Sequence, residues 1–350
     1  MQAIKRLFRR LTAGTGDSID PLTRLAIKHG TDKWGAHFYT PLYHALFSHL
    51  RNRRIRLLEI GIGGYGVATV GGTSLAMWAE YFPNGHIVGI DIAEKRLNLD
   101  PRIKLLRGSQ SDAAFLARLC DEHGPFDIII DDGSHVPSES AVSFRALFPR
   151  MADPGLYVIE DVQTWYWPKH GGSLRLDGAP AALFMSLFEN LNHAEIKISE
   201  PAAQFEEIAT QIRSLRAYHN ILVVEKGDNT EPSNFDYSLD NPHAARALRW
   251  IEQELDRAPT AQGFANLIDA YSYGRSFAKA EVLCRQALSK WPDNAPLLTA
   301  AFKNAEKSGD LPGMLAYIES LVQSDPDDEY LRSCLERTRA ELSHALSRTR

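Results

Sequence analysis

"LLEIGIGGYG", residues 57–66, holds a literal G-x-G-x-x-G in Gly61, Gly63 and Gly66. Such a pattern marks a dinucleotide-binding turn when a strand precedes it and a helix opens within it. The first condition is met, because "IRLLEI" (55–60) reads as a strand buried on both faces. The second is not. Gly66 is followed by "VATVGGTS", so the next helical pattern begins only near Ser74, after a long loop with two further glycines, Gly71 and Gly72. A tight pyrophosphate turn is therefore not expected. Glu59 stands just before the glycines, two residues ahead of Gly61, where a carboxylate repels pyrophosphate and suits a cationic ligand such as S-adenosylmethionine. Glycines at 61, 63 and 64 let a methionyl group lie against the backbone. Asp91, at the end of "HIVGID" (86–91), suits ribose hydroxyls, but an acid there serves NAD equally. "GSQSD" (108–112) ends the third strand, where an adenine edge would lie in either case. NAD binding and a purely structural glycine loop both stay open at this point.

Outward from this stretch, apolar strand patterns alternate with helical ones. "IKLLRG" (103–108), "FDIIID" (126–131) and "LYVIED" (156–161) continue the strands. "SLAMWAEYF", "SDAAFLARLCDEHG" and "SESAVSFRALFPRM" are the intervening helices. This alternation predicts an α/β fold, a doubly wound, mostly parallel Rossmann-like sheet. Two more strands are expected at "AEIKIS" (194–199) and "NILVVEKG" (220–227), with the polar stretch 200–215 between them left unassigned. "GDNTEPSNFDYSLDNP" (227–242), rich in Asn, Asp, Pro and Ser, reads as a linker. All that follows is helical. Pro259, Pro292 and Pro326 are spaced 33 and then 34 residues apart, near the tetratricopeptide period. Leu267, Tyr271, Ala280 and Ala287 fall at its small or apolar positions, whereas Ile268 and Cys284 depart from it. The expectation is an all-α tetratricopeptide-like region, with an unrelated helical bundle as the alternative. The expected boundaries are a basic segment over 1–21, a sheet domain over 22–234, a linker over 235–242 and helices over 243–350.

A net charge of -5 does not favour nucleic acid as a partner. Three separated cysteines, Cys120, Cys284 and Cys334, form no C-x-x-C and fit a reducing cytoplasm. No apolar run approaches the ~18 residues of a membrane span. The basic start, "MQAIKRLFRRLTAGTGD", lacks the apolar core of a signal peptide. It reads as a solvated terminus, with a membrane-surface helix as the alternative.

Ligands of open α/β sheets sit beyond the carboxyl ends of the strands. "IDDGSHV" puts Asp131, Asp132 and His135 there, and "IED" adds Glu160 and Asp161. Carboxylates converging from adjacent strands call for a cation, and oxygen ligands favour Mg²⁺. His135, on the loop past Asp132, is the candidate general base. For Asp131 a structural or cofactor role is expected, since neighbouring aspartates point differently.

Several ordered blocks carry a further message: "TDKWGAHFYTPLYHALF" (31–47), the glycine stretch, "GIDI", "GSQSD", "DIIIDDGSH", "GLYVIEDVQTWYWP" and "VVEKGDNTEPS". Together, over residues 22–234, they resemble the macrolide-sugar O-methyltransferases, the enzymes similar to the mycinamicin and macrocin O-methyltransferases. The resemblance implies a class I fold, S-adenosylmethionine as cofactor and a requirement for Mg²⁺. It makes Asp132, Glu160 and Asp161 the metal ligands and His135 the base. It makes Glu59, Ile60, Gly61, Gly63, Gly64, Tyr65, Ser74, Asp91, Ser109, Gln110 and Asp132 the cofactor contacts. It implies that 31–47 forms a lid, whereas composition alone describes a loop packed on the sheet edge. Trp165, Tyr166 and Trp167 would stack on a sugar, join an oligomer contact or belong to the core. The expected acceptor is a sugar-containing small molecule or glycan. The helical tail departs from the family pattern. A protein partner through its repeats, and a homo-oligomer, stay open.

Overall fold

A computed structural model describes residues 19–173, 182–196, 206–231, 233 and 239–348. The basic start up to residue 18, the core of the expected linker and residues 197–199 of one expected strand lie outside these. The chain divides into two compact units, Met1–Asn229 and Thr230–Arg350.

The first unit opens with α1 (Pro21–His29) and α2 (Thr40–Phe47). Then come β1 (Arg56–Ile60), α3 (Thr73–Tyr81), β2 (His86–Asp91), β3 (Ile103–Arg107), α4 (Ala113–His123), β4 (Ile128–Asp131), α5 (Pro137–Leu147) and β5 (Gly155–Ile159). The last elements are α6 (Ala182–Leu191), the short α7 (Glu206–Ala209), β6 (Ile212–Tyr218) and β7 (Ile221–Lys226). The sheet order is β3-β2-β1-β4-β5-β7-β6. The first five strands are parallel, and β7 runs antiparallel to both β5 and β6. The order reverses between β1 and β4, so their carboxyl ends flank the crevice in which such sheets bind ligands.

The strands are apolar on both sides because both faces are covered. Leu58, Ile60, Val88, Ile90, Ile129 and Tyr157 join one core with Leu116 of α4 and Phe144 of α5. Their alternates Leu57, Ile87, Ile128, Ile130 and Val158 join another with Leu22 of α1, Tyr43 of α2 and Trp78 of α3.

One local expectation needs correction. His193–Glu195 form a 3₁₀ turn, so no strand begins at 194. β6 begins within the stretch left unassigned and runs past it to Tyr218, returning to β7 through His219 and Asn220, the latter left-handed at φ 65°.

The second unit consists of α8 (Pro242–Arg257), α9 (Ala261–Tyr273), α10 (Phe277–Leu288), α11 (Ala295–Ser308), α12 (Leu311–Ser324) and α13 (Glu329–Arg348). Helix starts at Ala261, Ala295 and Glu329 recur every 34 residues, and those at Phe277 and Leu311 lie 34 apart. Side-chain caps set four of these five starts: Thr260, Asn294, Asp310 and Asp328 accept from the backbone three residues on. Leu267, Tyr271, Ala280, Cys284 and Ala287 are all buried in one core with Leu297 and Ala301.

Candidate active site

The crevice at the strand ends is a cavity of about 760 Å³. Ile60, Gly61, Gly63, Gly64, Tyr65, Ser74, Asp91, Ser109, Gln110, Asp132 and His135 all line it. Gly61 is required by close approach: a Cβ there would lie 2.1 Å from the Asp132 carbonyl oxygen. Gly66, the third glycine of the literal motif, has open space around its Cβ position and no positive φ. It lacks the helix-packing role that a dinucleotide turn assigns to it. Asp91 Oδ2 accepts from Ile62 N at 3.1 Å and its Oδ1 from Ala93 N at 2.8 Å, which fixes the carboxylate at the edge of the cavity.

Glu59 does not line this cavity. It is fully buried, with Oε2 accepting from Ser74 Oγ at 3.0 Å and Oε1 3.1 Å from Lys33 Nζ. That second contact is an ion pair without hydrogen-bond geometry. In this structure the Glu59 carboxylate faces Ser74 and Lys33, and Ser74 lines the cavity beside it.

Lys33 is the residue that sequence reasoning missed. Its buried ammonium meets carboxylates from three strand ends: Glu59 at the penultimate position of β1, Asp132 Oδ2 at 2.8 Å just after β4, and Glu160 Oε1 at 2.7 Å just after β5. Tyr43 OH donates to the same Glu160 oxygen at 2.5 Å. Burial works against the charge on Lys33, but Asp132, Glu160 and Glu59 outweigh it and hold its pKa well above the usual value. Burial pushes Glu59 up to about 7, with Lys33 opposing. Burial and Asp132 likewise raise the Glu160 carboxyl, against Lys33 and Tyr43. Three fully ionised acids around one ammonium would carry an excess of negative charge in a largely dry site; burial and mutual repulsion raise Glu59 and Glu160 for that reason, and a further cation would let them ionise.

Segment 31–47 is therefore more than an edge loop, because Lys33, Tyr39 and Tyr43 reach into the acidic cluster. Tyr39 OH donates to Asp161 Oδ1 at 2.5 Å. Burial would raise the Asp161 carboxyl, but this hydrogen bond, with Gln163 and the nearby His37 and His135, holds it below its ordinary value.

Asp132, His135 and Asp161 each bring one ligand atom to within 4.8 Å of the others, and all three are half-buried. His135 Nε2 lies 3.7 Å from Asp161 Oδ2. Both residues sit in the left-handed region, at φ 56° and 53°. Such conformations are costly for non-glycine residues and cluster at working sites. The buried Thr164 hydroxyl lies 2.9 Å from the His135 carbonyl and 2.7 Å from that of Asp161, pinning both. Glu160, the third expected ligand, lies beside this group on the same ammonium as Asp132 and also accepts from Tyr43.

Asp131 points the other way. It is buried, bonded to Ser143 Oγ at 2.7 Å and Gln110 Nε2 at 3.2 Å, and burial raises its pKa. The other end of Gln110 accepts from Ser134 N at 2.7 Å, so this pair shapes the loop that carries His135. Trp165 belongs to the core, stacked on Phe184 with centroids 4.7 Å apart. Tyr166 and Trp167 remain exposed.

With this geometry in hand, the relatives are informative. The chain is 44% identical over 248 residues to 8-demethyl-8-(2-methoxy-alpha-L-rhamnosyl)-tetracenomycin-C 3'-O-methyltransferase of Streptomyces olivaceus, covering 68% of this chain and 62% of that one. It is 43% identical over 223 residues to mycinamicin VI 2''-O-methyltransferase of Micromonospora griseorubida, covering 63% and 56%. Its curated homologues are sugar O-methyltransferases. The chain spans about three fifths of the length of these relatives. Among solved structures it is similar to the methyltransferase MycE of the mycinamycin pathway in complex with Mg, SAH and mycinamycin VI, at TM-score 0.56 and 40% identity over 66% of this chain and 60% of that one. No family model matches the chain. No helix among the described residues is long and apolar enough to cross a membrane.

Proposed function

We propose that the chain is an S-adenosylmethionine- and Mg²⁺-dependent O-methyltransferase acting on a sugar hydroxyl of a glycoside or glycan. The observation that carries this is the meeting of Asp132, His135 and Asp161 beside a cavity lined by the glycine loop, Asp91 and Gln110. The O-methyltransferase activity of the curated relatives, and the Mg and SAH held by MycE, support the same choice.

The oxygens of Asp132, Glu160 and Asp161 are the proposed holders of the cation, and their excess negative charge fits it. When bound, the donor supplies an electrophilic methyl group and the cation lowers the pKa of the acceptor hydroxyl. His135 takes the acceptor proton at Nε2. Asp161, 3.7 Å away, balances the charge the ring gains. Lys33 keeps Asp132 and Glu160 facing one another, so little reorganisation is needed as charge develops. Tyr65, Ser74, Asp91 and Ser109 are proposed to hold the donor, and Tyr166 and Trp167 to meet the sugar face. In the same proposal the 34-residue helical repeats are tetratricopeptide-like and offer a protein partner a stacked surface, and the setting is cytoplasmic.

Calorimetric titration of the full chain with S-adenosylmethionine and with NAD tests this, together with methyl transfer from labelled donor to a panel of glycosides. S-adenosylmethionine is expected to bind and NAD is not. Binding of NAD alone would replace the proposal with a sugar oxidoreductase, and binding without transfer to any glycoside would favour a scaffold role.

A further inference from the structure

The loop that lines the cavity is closed by a lysine outside it. Lys95 follows β2, and its Nζ lies 2.5 Å from the Gly63 carbonyl oxygen, 2.6 Å from that of Tyr65, and 3.3 Å from those of Val67 and Val70. Gly63, Gly64 and Tyr65 are consecutive left-handed residues, at φ 74°, 70° and 49°. This winding turns the Gly63 and Tyr65 carbonyls toward Lys95, while that of Gly64 is taken by a backbone bond. The loop is packed so tightly that a Cβ on Gly64 would lie 2.1 Å from the Val70 carbonyl oxygen. Backbone bonds from Val67 N to Gly64 O and from Gly72 N to Ile62 O complete it.

Four carbonyl oxygens converging on one point repel each other unless a cation sits there. An ammonium with three donors and a compact charge suits such a cradle; a planar guanidinium does not. Lys95 does not line the cavity, but Gly63, Gly64, Tyr65 and Val70 do. We propose that Lys95 is a positioning residue, a tethered ammonium that seats in the carbonyl cradle and presets the glycine loop for its ligand. That the ligand is S-adenosylmethionine rests on the function proposed above. The preset loop itself does not.

The test is Lys95→Ala in the full chain, read by amide hydrogen exchange, calorimetry and melting temperature. Amides of 62–72 should exchange at least about tenfold faster, with those of β1 and β4 unchanged. Affinity for S-adenosylmethionine should fall about tenfold, the scale of one charge-assisted hydrogen bond, with little change in melting temperature. Ammonium chloride should restore loop protection, and tetramethylammonium chloride at equal ionic strength should not, because it has no N–H to donate. Unchanged exchange in the loop, or any other salt pattern, overturns the cradle. Loosened exchange with unchanged affinity overturns the positioning role. If the unaltered chain itself fails to bind S-adenosylmethionine, the assigned ligand is wrong, and the exchange data still decide whether Lys95 holds the loop.

Discussion

The sheet unit and the helical unit handle charge in opposite ways. At the strand ends of the sheet unit, Lys33, Glu59 and Glu160 are all buried, and Asp132 and Asp161 are mostly so. In the helical unit, ion pairs such as Arg257–Glu254 and Arg339–Glu319 lie out in solvent. Its interior is made of residues such as Ala280, Ala287, Leu297 and Ala301. Exposed pairs contribute little to stability, whereas burying charge costs several kcal/mol per ion unless it is well partnered. Apolar residues would make the strand ends more stable. Charge retained there, beside the left-handed His135 and Asp161, marks the region shaped by chemistry. The helical unit is shaped by packing and by its repeat.

The sharpest way to break this contrast is His135→Ala. We expect kcat to fall by about 10²–10⁴, the usual worth of a positioned base, with S-adenosylmethionine affinity nearly unchanged. Steady-state kinetics at neutral pH check it, and a wild-type kcat would remove His135 as the base.

Lys33→Met and Leu297→Ala form a matched pair. Each is expected to cost several kcal/mol, about 3–5 for an unpaired buried charge and about 2–5 for a cavity. They should differ in their response to metal: Mg²⁺ should recover part of the loss in Lys33→Met, by neutralising the same carboxylates, and none of it in Leu297→Ala. Denaturant unfolding with and without Mg²⁺ measures this. Equal responses would erase the distinction between the two regions.

A smaller effect concerns pH. Burial raises Glu59 to about 7 in the folded chain, above its ordinary value of 4.5. The folded state therefore holds a proton that the unfolded state has lost, and between these values stability should fall as pH rises. Glu59→Gln should flatten that fall in metal-free buffer, as read from unfolding free energies across the window. An unchanged slope would assign the pH dependence to other groups.

What was legible in the sequence follows the same contrast. The five parallel strands could be read because burial on both faces leaves continuous Ile, Leu and Val runs, and a topological rule then put Asp132, His135 and Asp161 at the site. β6, "IRSLRAY", was hidden because an edge strand mixes Arg and Ser into its pattern. Lys33 was hidden for a different reason. It is 99 residues from Asp132 and 127 from Glu160, and no local spacing encodes a contact made by tertiary folding. Glu59 stands out in the sequence by its position before the glycines, but its pairing with Ser74 and Lys33 does not. Thr164, whose work is to hold two backbone carbonyls, carries no signature of its own. In the helical unit, by contrast, the all-helical pattern and the 33- and 34-residue spacing of Pro259, Pro292 and Pro326 were legible from the sequence, and helix starts recur every 34 residues in the structure.

Methyl transfer from labelled S-adenosylmethionine to an accepted glycoside, before and after exhaustive stripping with EDTA and then with Mg²⁺ restored, tests the central claim most directly. We predict that stripping abolishes turnover while calorimetric binding of S-adenosylmethionine survives, and that Mg²⁺ brings turnover back. Full turnover in the stripped enzyme would contradict the account.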